Sequence, residues 1–497
     1  MKTTQGLRIF SSLVFVTCAS LSQAAVINWN NIGGGNYSDD ANWSGGAAPG
    51  KTDEALFDSG AASSYTTTFS EDADAQNVSV NDDDVTMELN GHNLETASGI
   101  SVGGTEGGRL TLRGGKYNQK ADYSGDLIKV LVGSEAGSKG DLVLDGVEFG
   151  SPEIYGRMQY YIGQSHSGFG GGEGTLELKN GSQARGQTAF IGDKGKVLIS
   201  GGSGLNLANE LIMESGGYLK ISEGTGVSSS GASLAGKVLV DGEHSSLNVG
   251  EYGYMDGDIT YQNGATGSGG NIAVGNRMTI DGAGSDFSAM GNVDVSGRLT
   301  VSHGASLSSD YAISALPGGV LSLHDGKVSA GAVLTEGGKI EGSGEVKGNV
   351  SNTNRGTVAT GENGDALTIT GDYSQDSSST LALTLGGWDA IGDYELNISG
   401  DANLDGILKI DLWDTFKPEL NDVFTLIKAE NINGMFSDFV LPSLASGLAW
   451  DWGSVMVAGL ETFSLKVVKN VPEPYTIVLM TIGLAGFAGA RRFRKAA

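Results

Sequence analysis

The chain has 497 residues and a formal net charge of −27, from 31 Lys and Arg against 58 Asp and Glu. So acidic a surface repels nucleic-acid phosphates and anionic membranes, which argues against nucleic acid as a partner. Its 81 Gly, 7 Pro and 39% apolar residues exclude a flexible glycine linker and fit many short strands joined by tight turns.

Residues 1–24 read as a secretory signal peptide. Lys2 and Arg8 make a positive n-region, Ile9–Leu21 an apolar h-region, and Ser22-Gln23-Ala24 puts small residues where cleavage after Ala24 needs them. Export through the Sec translocon is the expectation. Cys18 is the only cysteine, and Thr17 before it does not suit a lipoprotein signal. The exported chain is expected to lack disulfides and to rely on burial and backbone pairing.

Residues 25–75 form an aromatic-and-turn pattern: Trp29, Asn36-Tyr37-Ser38-Asp39-Asp40-Ala41-Asn42-Trp43, Pro49-Gly50 and Ala55-Leu56-Phe57. It resembles the start of autotransporter-like β-repeat proteins, where aromatics cover the open end of the first rung. The alternative is sugar stacking on Trp29, Tyr37 and Trp43. Asn81-Asp82-Asp83-Asp84 follows, expected as a solvated bend rather than a cation site.

Residues 76–360 carry an internal repeat, roughly Gly-x-Leu-x-Ile/Leu/Val-x-Asp/Asn/Gly-Gly, as in Gly140–Gly146, Gly174–Gly181, Gly236–Gly242 and Gly319–Gly326. One apolar position recurs at Leu176, Val197, Leu219, Val238, Ile259, Met278, Leu299, Leu321 and Ile340, at intervals of 19 to 22 residues. The period lies in the solenoid range. Alternation within each unit turns one face inward, and stacked units bury what a single unit cannot. The expected fold is therefore all-β, a right-handed parallel β-solenoid; an array of β-sandwiches is the runner-up. Longer intervals between Leu110, Leu142 and Leu176 predict that Ile154–Gly172, with Tyr160-Tyr161, bulges from the stack, and a ligand surface would be sought there.

Residues 361–469 have another texture, with strand-like runs such as Leu381–Leu385, Gly406–Ile410 and Asp422–Ile427 and late aromatics including Trp388, Trp413, Trp450 and Trp452. They are expected to form final rungs and a C-terminal β cap. The run is similar to the distal passenger segment of autotransporter-like proteins, but no translocator barrel is expected after it.

Residues 471–497 join three parts. Val471-Pro472-Glu473-Pro474 blocks helix and strand, Tyr475–Ala490 is an uncharged apolar run, and Arg491, Arg492, Arg494 and Lys495 form a basic stop. As a single short hydrophobic helix the run would reach about 24 Å, slightly under a hydrocarbon core, with the cations on the cytoplasmic side. The tail resembles the PEP-CTERM sorting signal of exosortase substrates in Gram-negative bacteria; an ordinary single-pass anchor is the alternative. The resemblance implies transient inner-membrane anchoring, processing near Pro472–Pro474 by an exosortase-like enzyme, and association with exopolysaccharide or biofilm matrix.

Signals for chemistry are weak. Asp401-Ala402-Asn403-Leu404-Asp405-Gly406 resembles the start of a calcium loop, but Leu412 stands where the closing acid belongs. His303 and His324 lie one repeat apart beside turns, without the further ligands that would complete a metal site. The turn acids Asp145, Asp241, Asp281 and Asp325 would have to stack as a column to serve a β-helix polysaccharide lyase or hydrolase. No nucleophile elbow, zinc-protease motif or P-loop occurs. The expectation is a non-enzymatic exported structural protein without catalytic residues, metal or other cofactor, calcium being the weak exception. The alternatives are a polysaccharide-degrading enzyme and a glycan-binding adhesin.

Overall fold

A computed structural model describes residues 25–60, 64–119, 127–150, 157–165, 171–360, 366–386, 396–413 and 415–470. Their regular structure is almost wholly β, with short 3-10 turns at Asp40–Asn42 and Ser44–Gly46. The strands join in one large, mostly parallel sheet. The strand Lys237–Asp241 shows why. Val238 and Val240 point inward while Lys237 and Asp241 point out, and the strand pairs in parallel with Tyr218–Ser222 behind and Asp258–Gln262 ahead. Each coil thus lends a strand to the next, a register consistent with a β-helix. Parallel pairing throughout the stack is not what a sandwich array would give.

Three ladders run along the stack. In one, Leu176, Val197, Leu219, Val238 and Ile259 are register partners in sequence, and the same column continues through Met278, Leu299, Leu321 and Ile340. A second ladder aligns Tyr117, Phe149, Ala184, Leu205, Val227 and Leu247. A third aligns Val130, Tyr160, Ala189, Leu211 and Ala232. All these side chains are buried in one continuous core. Size is balanced between coils. Gly267 lies between Leu247 and Phe287, and a Cβ there would stand 2.5 Å from the Phe287 ring and 2.6 Å from Tyr261, which fill the space instead.

The repeated Asn-Gly and His-Gly steps close one corner of each coil. Asn180, Asn263 and His303 have φ of 54°, 57° and 52°, and the glycine after each is also left-handed. Asn tolerates this region and Gly enters it without a Cβ penalty, so turn geometry selects these residues.

The N-terminal segment does more than the sequence suggested. Val26–Asn28 already pairs in parallel with Glu54–Phe57, so residues 25–75 belong to the ladders as well as covering their end. Past residue 360 the parallel register continues as the expected final rungs, through Ile407–Leu412 paired with Asp438–Val440. The period was hidden there because Val358, Leu381, Leu408 and Phe439 are register partners despite lengthening connections. Only then does the pattern change: Val423–Ala429 pairs antiparallel with Leu460–Lys469, which forms an antiparallel hairpin with Leu448–Val457. The predicted bulge is corrected for its middle, while 154–156 and 166–170 lie outside the described residues. Met158–Ile162 is a ladder strand, Tyr160 is fully buried, and Tyr161 stacks on Phe190 at 4.9 Å.

Candidate functional site

The N-terminal aromatics were candidates for sugar contact, and their packing overturns that reading. Trp29, Tyr37 and Trp43 are 2%, 1% and 2% exposed. Trp29 meets Trp43 edge-on at 4.9 Å, and Tyr37 meets Trp43 edge-on at 5.0 Å and stacks on Phe69 at 4.8 Å. The indole N–H of Trp29 donates to Asn31 O at 2.7 Å and that of Trp43 to Tyr37 O at 2.6 Å. Burial, with a smaller push from Asp74, raises the Tyr37 hydroxyl far above its usual range. No ring face is left for a sugar.

The acid run also departs from expectation. Asp83 is fully buried rather than solvated. Its carboxylate accepts from Ser59 N at 3.1 Å, Ser59 Oγ at 2.7 Å and the Tyr65 hydroxyl at 2.5 Å. Those donors satisfy the buried carboxyl oxygens, and they tie three segments of the first coils together.

The corner acids do not stack as an unbroken column. Asp241 and Asp281 are separated by the coil that carries Gln262, and Asp145 is the register partner of Lys179. Each accepts from the neighbouring turn residue: Asp145 from Asn180 Nδ2 at 2.6 Å, Asp241 from Asn263 Nδ2 at 2.7 Å, while Asp281 bonds His303 Nδ1 at 2.6 Å. Asp145 also bonds Arg113 Nε at 3.1 Å. His303 and His324 are adjacent in the stack but face different partners, His324 Nε2 lying 3.1 Å from Ser322 Oγ. No group of three or more metal-ligating side chains converges among the described residues. Within the calcium-loop-like segment, Ala402–Leu404 is a strand paired with the coils on either side, in keeping with the strand-turn-strand texture of its neighbours.

Near the longer early coils lies a groove of about 570 Å³ whose walls carry Arg109, Lys139, Asp141, Glu173, Lys194 and Lys196. Its charges partly pair with one another, Arg109 with Asp141 at 3.7 Å and Lys139 with Glu173 at 4.0 Å. It presents no concentrated charge of one sign.

The C-terminal hairpin positions the remaining candidate. Phe463, Leu465 and Val467 close the core, and Trp452 stacks on Phe439 of the last parallel coil at 4.5 Å. The hairpin runs to Lys469, and Asn470 N still bonds Gly447 O at 2.8 Å. The expected sorting residues Val471, Pro472, Glu473 and Pro474, the short helix and the basic stop lie outside the described residues, as do the signal peptide and Ala24. Comparison with known families matches residues 470–494 to the PEP-CTERM protein-sorting motif. The chain therefore carries a PEP-CTERM sorting signal. That motif indicates exosortase-dependent sorting to the cell surface or extracellular space, with an exosortase-type enzyme as processing partner. The matched segment starts one residue after the hairpin strand ends at Lys469. No curated protein matches this sequence. Among the described residues no helix is long and apolar enough to cross a membrane.

Proposed function

We propose that the exported chain is a right-handed parallel β-solenoid that serves as a structural element of the cell surface or extracellular matrix. The Sec translocon delivers it, the 475–490 helix holds it transiently in the inner membrane, and an exosortase-type enzyme cuts near Pro472–Pro474. Once released, it works through length and surface rather than chemistry, in association with exopolysaccharide or biofilm. The observation that carries this reading is the sorting motif at 470–494 directly following the hairpin that closes the stack. Right-handed winding is the usual hand of parallel crossovers. A non-catalytic role is supported by the corner carboxylates, which serve neighbouring turns instead of converging on a shared point.

The test is a tag inserted before Val471, followed by fractionation of cells with and without their exosortase. The expected result is a shortened, surface or released form with the enzyme and a longer, inner-membrane form without it. The same size and location in both strains would remove the sorting reading.

A further inference from the structure

Between Ile128 and Trp413, the large apolar side chains that stand exposed among the described residues are Tyr254, Met290 and Tyr311, at 51%, 58% and 67%. Tyr254 lies on the outer face of the Ile272 ladder as the register partner of Ala273, and Met290 and Tyr311 lie two and three coils further on, at the corner where the ladder of Leu247 bends into that ladder. Coiling gathers what the sequence spreads over nearly sixty residues.

The floor of this corner is bare backbone. Gly250, Gly270 and Gly291 follow one another coil by coil, with Gly291 N bonded to Gly270 O at 3.0 Å. Side chains are shut out by close approach. A Cβ on Gly270 would lie 2.1 Å from Glu251 O, and one on Gly291 2.3 Å from Asn271 Oδ1. The result is a groove of about 450 Å³, walled by Met290, Tyr311 and the exposed amides of Asn271 and Asn292. At the other end Tyr252 lies across Gly231, where a Cβ would come within 2.6 Å of the ring. Its hydroxyl donates to Glu210, and its ring sits 5.6 Å from that of Tyr254. Tyr252 is the register partner of the groove residue Asn271, so the two rings stand on the coil that carries Gly250, outside the groove's own lining.

We propose that this corner binds an uncharged, chain-like carbohydrate laid along the stacking axis. Flat C–H faces of sugars suit exposed tyrosine rings, and sugar hydroxyls suit the two amides. The four coils from Gly250 to Tyr311 span about 14 Å at the usual inter-strand spacing, enough for a short run of sugar units. No cation lines the groove, and Glu251, Asp294 and Asp310 are exposed around it, so an anionic polymer is repelled. The bare floor and amide walls lack the dry apolar centre on which a protein partner depends. This site rests on the proposed matrix role only for access to its ligand.

The test is affinity electrophoresis of the full-length protein in detergent, through gels containing hydroxyethylcellulose, xylan, laminarin or the polyanion alginate. Retardation by at least one neutral polymer, and none by alginate, is expected. Tyr254→Ala with Tyr311→Ala should weaken that binding about tenfold, whereas Phe at both positions should keep most of it. Both rings are exposed, so an unchanged melting temperature will show that the fold is intact. The proposal is overturned if no neutral polymer retards the protein, if alginate binds better, or if the double alanine variant binds as the parent does. Because the readout is binding in a gel, it stands or falls separately from cell fractionation: loss of sorting with binding intact would remove the first reading alone.

Discussion

Asp281 and His303 illustrate how side chains from neighbouring coils brace a turn that the backbone has already chosen. His303 occupies a left-handed turn position because the corner requires it, and its ring then meets Asp281 of the preceding coil at 2.6 Å. The hydrogen bond and then the charge of Asp281 raise His303 above its ordinary 6.5. In return, hydrogen bonds from His303 and Ser302 hold Asp281 below 3.8. The signs follow from linkage. The histidine's contribution is fully present below 6.5 and is lost as pH rises through its higher folded value. The aspartate's is present above 3.8 and is lost as pH falls through its lower one. Their joint contribution is therefore greatest between those two ordinary values. His303 is 77% exposed, so the melting temperature will barely register it. The expected signature is a proton NMR titration in which the His303 midpoint exceeds 6.5 and drops towards it in Asp281→Asn. Equal midpoints in parent and variant would remove the coupling. In sequence, the turn was legible in the His-Gly step, but the partner was not, because it lies a full coil away. Asp83 was misread for a related reason: three acids in a row look solvated, and only the fold shows that Ser59 and Tyr65 enclose the middle one.

Among elements, the one apolar column from Leu176 to Ile340 was readable because its strands are aliphatic and evenly spaced. The other two ladders were not. Strands such as Thr266–Val274, rich in Gly and Ser, carry little periodic apolar signal and acquire their place by pairing with Ser246–Met255. The groove beside them was equally invisible, since Tyr254, Met290 and Tyr311 sit at no common repeat position. The C-terminal hairpin makes a sharper claim. The hairpin closes one ladder's edge, and Phe463 packs edge-on to Phe436 at 5.6 Å inside the last coil. Phe463→Ala should cost about 3–5 kcal/mol within the end of the stack. Because each coil contacts chiefly its neighbours, the damage should stay local. Hydrogen exchange is expected to speed up across 396–440 and remain unchanged across 197–340. Uniformly faster exchange along the whole chain would instead mean that the stack unfolds as one cooperative unit.

For the whole molecule, charge and coiling pull in opposite directions. A chain of net charge −27 repels itself, while hydrophobic burial and the ladders hold its coils at a spacing of about 4.8 Å. The ion pairs that bridge coils, such as Arg113 with Glu88 and Asp145, or Arg298 with Glu341, lie largely at the surface and are individually worth little. Added salt screens both the attraction within pairs and the repulsion of the excess acids. The excess is the larger quantity, since 58 acids face 31 basic residues. Raising sodium chloride from about 0.02 M to 0.5 M, which shortens the screening length from tens of ångströms to a few, should therefore increase the melting temperature by several degrees. Circular dichroism at neutral pH measures this directly. A falling melting temperature would show that the bridging pairs outweigh the net repulsion. The sign also bears on the proposed surroundings: a fold stabilised by counter-ions tolerates a salty exterior, and a net acidic surface keeps neighbouring copies apart.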